Sequence, residues 1–447
     1  MITEETIFAL ASAAGRAGIA VIRLSGDQTT VALKHLGCSV PPPRKAVRAR
    51  VVDGLSDDLL DDGLLLWFPA PHSFTGEDVA ELHVHGGRAV VDSILNALNA
   101  VPGLRPAEPG EFTRRAFAHD KMDLTQAEAL ADLVDAETRA QQKQALRQMG
   151  GALKEIYDDW RHRLVQALAH LEAVIDFPDE DIPPAVADKV WGEVDDLERA
   201  IAVHLNDDKR GERVREGLMI AIIGPPNAGK SSLLNALARR EAAIVSAIPG
   251  TTRDIIEVHM NLAGYAVTLA DTAGLREAAD VIEDEGIRRA KARAADADFK
   301  IVVFDGAVYP ARDETAASMI DADTLVVVNK ADLLSHPAST ETDKTTGQTI
   351  QFMSVKSGFG MDVLLARVEE LVRKKADTGA AMPLTRARHR KALEQCREAL
   401  RRSRAADLPE LAAEDLRLAA KALGRLTGRV DVEEILDVVF RDFCIGK

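Results

Sequence analysis

Cysteine is scarce in this chain: Cys38, Cys396 and Cys444 are the only three in 447 residues. An odd number at such wide spacing supplies neither a disulfide framework nor a zinc pattern, and it suits a reducing compartment. Positive charge is also in deficit, with 56 Lys and Arg against 71 Asp and Glu, for a formal net charge of -15. That argues against a protein that coats nucleic acid by bulk attraction, so any RNA contact must be local. Nowhere do 18 apolar residues run together, and the start Met-Ile-Thr-Glu-Glu has no basic stretch followed by an apolar one. Neither a membrane span nor an export signal is expected, and the chain is placed in the cytoplasm. No fixed-period repeat is found. What is present is a 46% apolar content over a length that allows for about three domains at ~150 residues each.

Composition changes along the chain divide it. Residues 1–120 mix short β-like runs (19–24, 64–68, 79–84) with Pro and Gly turns such as Pro41-Pro42-Pro43, which reads as a small α+β domain. From Thr125 the pattern becomes helical, because Thr125 and Glu128 make a capping box and a long helix is expected to start there. Leu146, Met149, Leu153, Ile156, Trp160, Leu164, Leu168, Leu171 and Ile175 then step by three or four residues along one face, with a kink allowed at Gly150-Gly151. Residues 121–216 form this first helical part. Residues 217–376 alternate strand, loop and helix, with β-rich runs at 218–223, 265–270, 299–304, 324–328 and 349–352, which implies a mostly parallel sheet covered by helices. Helical spacing returns over 377–447, including a capped helix from Asp431 with Glu434. The expected architecture is multidomain α/β: an N-terminal α+β domain, a discontinuous helical bundle, and an inserted α/β domain whose glycine-rich loop 224–231 makes it a Ras-like P-loop domain. Neither helical part alone could bury its apolar face.

The sharpest motif is Gly224-Pro225-Pro226-Asn227-Ala228-Gly229-Lys230-Ser231, between an apolar strand and a helical run. Glycines let the backbone N–H groups wrap phosphates, the helix start adds its positive end, Lys230 bridges the β- and γ-phosphates, and Ser231 holds Mg²⁺. Ser232 continues the loop. Asp271-Thr272-Ala273-Gly274 follows the 265–270 strand, placing a carboxylate near Mg²⁺ and the Gly274 N–H near the γ-phosphate. Asn329-Lys330-Ala331-Asp332 follows the next-but-one strand. Asp332 can accept from N1–H and the 2-amino group of guanine; adenine offers neither, and a buried carboxylate would be left unpaired, so GTP is favoured over ATP. Ser354-Val355-Lys356 places backbone N–H groups toward the base oxygen. Gly250-Thr251-Thr252-Arg253-Asp254 lies where a nucleotide-sensing loop belongs, and one of its threonines is expected to complete the Mg²⁺ shell.

One expected residue is missing. After Gly274 stands Leu275, where a Ras-like enzyme has the glutamine that orients water. Glu283 is either the residue that positions the water through a bridging water or part of a solvated helix face.

Together these motifs resemble the tRNA-modification GTPase family MnmE (TrmE). Phe74-Thr75-Gly76-Glu77-Asp78, His85-Gly86-Gly87, Gly110-Glu111-Phe112, the run from Asp120 to Ala129, and the ending Cys444-Ile445-Gly446-Lys447 carry the resemblance over the full length. It implies a cytoplasmic homodimer working with an FAD-dependent partner, MnmG (GidA), as a heterotetramer. Together they would install a carboxymethylaminomethyl-type group at C5 of the wobble uridine of certain tRNAs, at the expense of GTP. It implies that the N-terminal domains dimerise and bind 5-formyltetrahydrofolate or a related one-carbon folate, with Arg23, Glu81 and Lys121 in contact and Lys447 approaching. Such cations suit a glutamate tail, and a carboxylate suits pterin donors. Strand spacing also puts Glu81, His83 and His85 on one face, which is either a structural face or a two-histidine metal site.

The resemblance further implies that a K⁺ ion, rather than an arginine finger, neutralises charge developing on the phosphates when two GTPase domains meet. Its ligands would be Asn227 and the loop carrying Ser246, Ile248 and Thr251, with Ser246 where the family often has threonine. It assigns water activation to Glu283, and Thr252 becomes the Mg²⁺ ligand. Lys230, Thr252 and Glu283 are then the catalytic set. Cys444 is either a nucleophile or a packing thiol. Residues 386–404 hold eight Lys or Arg against two acids, either a patch for tRNA phosphates or a solvated face. Two rivals use the same nucleotide residues: an Era-like ribosome-assembly switch, and a folate-dependent transferase that GTP merely regulates.

Overall fold

The computed structural model describes residues 5–177, 184–240, 257–271, 294–335, 339–343, 347–377, 379, 382–430, 436, 439, 440, 443 and 446. The chain divides into two compact units, one of Met1–Ala131, Met149–Val190 and Ala405–Lys447, the other of Asp132–Gln148 and Trp191–Arg404.

In the first unit β1 (Thr6–Leu10), β2 (Ala17–Ser25), β3 (Val47–Val52), β4 (Leu59–Phe68), β5 (Val79–Gly86) and β6 (Leu104–Pro106) form a sheet in the order β3-β4-β5-β2-β1-β6. Only β1 and β6 run parallel. Ile22 and Leu24 of β2, Leu82 of β5 and Leu65 and Trp67 of β4 face a core completed by Leu33 and Ile94 of helices Thr29–His35 and Arg88–Asn99. Because side chains alternate along a strand, Arg23 and Glu81 are sent to the opposite face, and the β2–β5 register sets them directly opposite one another.

The long helix expected from Thr125 is in fact three: Leu124–Val134, Arg139–Met149 and Ala152–Asp176. The first is capped two residues earlier than expected. Asp123 Oδ1 accepts from Gln126 N at 2.9 Å while Gln126 Oε1 accepts from Asp123 N at 3.0 Å, and the Thr125 hydroxyl donates to Asp123 Oδ1 instead of capping the helix itself. Gly151, at φ +95°, separates the second helix from the third, so the glycine pair ends one helix and starts another. Leu146 and Met149 consequently leave the expected stripe and are exposed. Ala152–Asp176 packs along Pro409–Thr427; Tyr157, Trp160, Leu164 and Leu171 of the first and Ala412, Ala419 and Ala422 of the second are buried.

The second unit is built on β7 (Leu218–Ile223), β8 (Glu257–Leu262), β9 (Tyr265–Asp271), β10 (Phe299–Asp305), β11 (Thr324–Asn329), β12 (Thr340–Thr342) and β13 (Thr349–Phe352), ordered β12-β13-β11-β10-β7-β9-β8. The five strands read from the sequence are the central parallel ones; β8 and β12 are antiparallel edges. Leu233, Leu234 and Leu237 of helix Lys230–Arg240 and Leu364, Val368 and Val372 of helix Met361–Ala376 cover one face. Val302, Phe304, Val326 and Val328 pack on the other. Strand order reverses at β7, flanked by β9 and β10, and the crevice beyond the carboxyl ends of strands at such a reversal is where open α/β sheets bind ligands.

Candidate functional site

The loop after β7 fills that position. Gly224 has φ +154°, and a Cβ there would lie 2.2 Å from the Val303 carbonyl oxygen of β10, so only glycine lets the loop leave between the two strands. Asn227 is left-handed at φ +63° and exposed. Gly229 has φ +94°, with a hypothetical Cβ 2.2 Å from Asn329 Nδ2. Lys230, 5% exposed, donates from Nζ to the Pro225 carbonyl at 2.7 Å, across the loop it closes. Ser231 and Ser232 are exposed in the first turn of the helix, where the N–H groups that a helix start presents and the dipole favour an anion. Asp271 ends β9, and its backbone pairs in register with Ile222, next to the strand that delivers the loop.

Asn329 is the brace of the site. Buried at 3% exposure, it donates from Nδ2 to the Ala228 carbonyl at 2.9 Å and accepts from Val355 N at 3.2 Å. One amide thereby joins the phosphate-type loop to the Ser354–Val355–Lys356 segment. Asp332 differs from expectation: its carboxylate is exposed, not buried. The Ser354 hydroxyl donates to its Oδ1 at 2.5 Å, and that bond holds its pKa below the usual carboxylate range. Selectivity at this carboxylate therefore requires a bound base to desolvate it.

Asp305 and Gly306, not singled out from the sequence, join this group. Lys330, left-handed at φ +61°, donates from Nζ to Asp305 Oδ2 at 2.6 Å, and Gly306 N donates to the Asn329 carbonyl at 2.7 Å. Their position directly after a buried parallel strand was the available signal.

In the first unit, Arg23 meets Glu81 Oε1 through Nε at 3.0 Å and Nη2 at 2.8 Å, lies over the rings of Phe74 and Phe112, and donates from Nη1 to the Gly446 carbonyl at 3.5 Å. Lys121 reaches the same loop, since a Cβ on Gly76 would sit 3.1 Å from its Cε. Beneath the loop, Arg115, 3% exposed, binds both oxygens of Glu77 and shares Glu111 with Arg105. Ser25 donates to Glu77 Oε2 at 2.6 Å. The motif residues Glu77, half-buried, and Glu111, buried, given no role from sequence, are thus linked through Arg115 beside the Phe74–Gly76 turn. His85 pairs with Asp61 and His83 approaches Glu81, and no cluster of metal-ligating groups occurs among the described residues.

Ser246, Ile248, Thr251, Thr252, Thr272, Ala273, Gly274, Glu283, Cys444 and Lys447 lie outside the described residues, as do the expected helix start at Asp431 and the side chain of Asp271. The basic segment 386–404 is neither a bare patch nor a merely solvated face. Arg386 pairs with Asp132, Arg390 with Asp207 and Glu212, Arg397 and Arg401 with Glu198, and Arg404 stacks on Trp191. No described helix is long and apolar enough to cross a membrane.

Residues 6–121 match a family model described as the GTP-binding protein TrmE N-terminus, and residues 124–444 match one described as the MnmE helical domain. Proteins named tRNA modification GTPase MnmE are similar over almost the whole length. That of Paramagnetospirillum magneticum is 58% identical, covering 99% of this chain and 100% of the relative. That of Rhodospirillum rubrum is 54% identical, covering 100% of both, and that of Parvibaculum lavamentivorans is 54% identical over 99% of this chain and 100% of the relative. With a phosphate-type loop at the sheet's reversal point and both family models matched in order, the chain belongs to the MnmE family of tRNA modification GTPases.

Proposed function

We propose that this chain is a GTP hydrolase whose cycle drives tRNA modification, and that with the flavoprotein MnmG it installs a carboxymethylaminomethyl-type group at C5 of wobble uridine. The observation that carries the nucleotide reading is the Asn329 side chain, which ties the Ala228 carbonyl to Val355 N and so spans the two loops that a phosphate and a base require. Backbone N–H groups of 227–232 and the Lys230 ammonium take the phosphates. Asp271, Thr272, Ala273 and Gly274 take the γ-phosphate end; Asn329, Lys330, Asp332, Ser354, Val355 and Lys356 take guanine. The exposed Ser231 hydroxyl and Thr252 suit Mg²⁺. The exposed, left-handed Asn227 suits a K⁺ ion shared with Ser246, Ile248 and Thr251, an ion that supplies positive charge where the transition state gains negative charge. Glu283 orients the water.

The Arg23, Glu81, Lys121 group beside Gly446 binds a one-carbon folate, with Lys447 approaching it: the Arg23 guanidinium already lies over two aromatic rings and beside a carboxylate, a surface for a flat heterocycle with donors and an anionic tail. Cys444 is either a nucleophile or a packing thiol. The working divisions are 1–120 for folate and dimerisation, 121–216 and 377–447 for the helical domain, and 217–376 for GTP. The protein works in the cytoplasm as a homodimer bound to MnmG and tRNA.

Mass spectrometry of wobble nucleosides from cells lacking this chain tests the activity; unchanged modified uridine would refute it. Exchange of NaCl for KCl is expected to raise GTP turnover steeply, and equal rates would remove the potassium site.

A further inference from the structure

We propose that Asp305 is a positioning residue for base recognition: its carboxylate holds the Lys330 ammonium so that the lysine's alkyl stem is fixed beside Asp332 before nucleotide arrives. This rests on the nucleotide reading above and adds to it a residue outside the base-reading motif.

Two bonds lock the end of β10 to the start of the base-reading turn. Asp305 and Asn329 are in register across β10 and β11. Gly306 N donates to the Asn329 carbonyl at 2.7 Å, and Lys330 Nζ reaches Asp305 Oδ2 at 2.6 Å. The other oxygen of Asp305 accepts from Ala307 N at 2.9 Å, so the carboxylate is itself fixed. The close approach is built into the backbone: a Cβ on Gly306 would lie 2.6 Å from the Asn329 carbonyl oxygen and 2.9 Å from that of Lys330.

The pair is partly exposed, at 18% for Asp305 and 35% for Lys330. Ion pairs of that kind contribute little to stability, so its value is geometric. A lysine has a flexible four-carbon stem and a strongly hydrated head, and laying that stem against a flat ring costs rotamer freedom unless the head is already held. Lys330 is also left-handed, so its Cα–Cβ direction is set by the turn. With both ends fixed, the stem is a preformed apolar wall next to the carboxylate that reads the base edge.

The full-length protein tests this with fluorescent mant-GDP, by equilibrium titration and stopped-flow release. Asp305→Asn keeps an acceptor for Ala307 N–H and loses the charge. It is expected to weaken binding about ten-fold, mainly through faster release, with the melting temperature unmoved. Lys330→Ala should weaken binding at least as much, and Asp305→Asn combined with Lys330→Ala should be no worse than Lys330→Ala alone, because Asp305 acts through the lysine. Unchanged release in Asp305→Asn overturns the proposal, as do additive losses in the double variant accompanied by a lowered melting temperature. A wild-type chain that fails to retain mant-GDP removes the nucleotide reading and this inference with it, whereas wild-type binding beside an indifferent Asp305→Asn removes this inference alone.

Discussion

Under the nucleotide reading, selectivity rests on single side chains, and Asp332 is the clearest case. Its carboxylate is exposed but anchored by Ser354, whose hydroxyl bond lowers its pKa. A carboxyl with a depressed pKa stays charged above the ordinary value and loses its charge only as pH falls through the lowered one. Guanine affinity should therefore be flat from pH 8 down to about pH 4 in its dependence on this group. Asp332→Asn replaces one acceptor by a donor facing N1–H and is expected to reduce GDP affinity roughly a hundred-fold, read by competition of GDP against mant-GDP. Burial raises the pKa of both described thiols, Cys38 and Cys396, the latter up to about 12, and Cys396 is fully covered. It should resist alkylation by N-ethylmaleimide at pH 8 in the folded protein and react only on unfolding, as peptide mass spectrometry would report.

At the scale of elements, burial decides between sequence signals that look alike. Asp123 with Gln126 and Thr125 with Glu128 are overlapping capping frames, and either was acceptable by residue type. The first frame prevails because the Thr125 hydroxyl is fully buried and donates to Asp123. Asp123→Ala should destabilise the chain by about 1 kcal/mol, measured by urea denaturation. Burial raises the Asp123 pKa, so its charged form is penalised in the folded state. An acid with a raised folded pKa contributes most below its unfolded value of ~3.9 and loses that contribution as pH rises through the raised one. The stability of wild type relative to Asp123→Asn should accordingly improve as pH is lowered toward the ordinary carboxylate value of ~3.9.

The parallel strands β7, β9, β10, β11 and β13 were legible because strands covered on both faces are continuous apolar runs. The edges β8 and β12 were not: β8 carries Glu257, His259 and Asn261, and β12 is Thr-Glu-Thr. Gly229 was legible as part of a motif, but its closeness to Asn329, 100 residues away in sequence, was not. A Gly229→Ala change would place a methyl on that brace and is expected to abolish mant-GDP binding.

For the whole molecule, the acidic balance and the paired arginines of 386–404 agree with each other. Glu198 neutralises Arg397 and Arg401 from a helix 199 residues earlier in the chain for the first of them, which no local count of charge could reveal. RNA binding by this segment would have to compete with those pairs. Under the functional reading, two copies close over their nucleotides with K⁺ between them. Light scattering should then show a compact closed species with GDP and aluminium fluoride in KCl and none in NaCl.

The carbonyl of Gly446 meets the guanidinium of Arg23 from 423 positions away. A Cβ on Gly446 would collide with the Leu10 carbonyl oxygen, so the fit is specific to that residue. During synthesis, the first strands emerge from the ribosome long before their last neighbour is made. A chain cut before residue 446 would keep the strand pairing of the sheet yet lose this contact at Arg23.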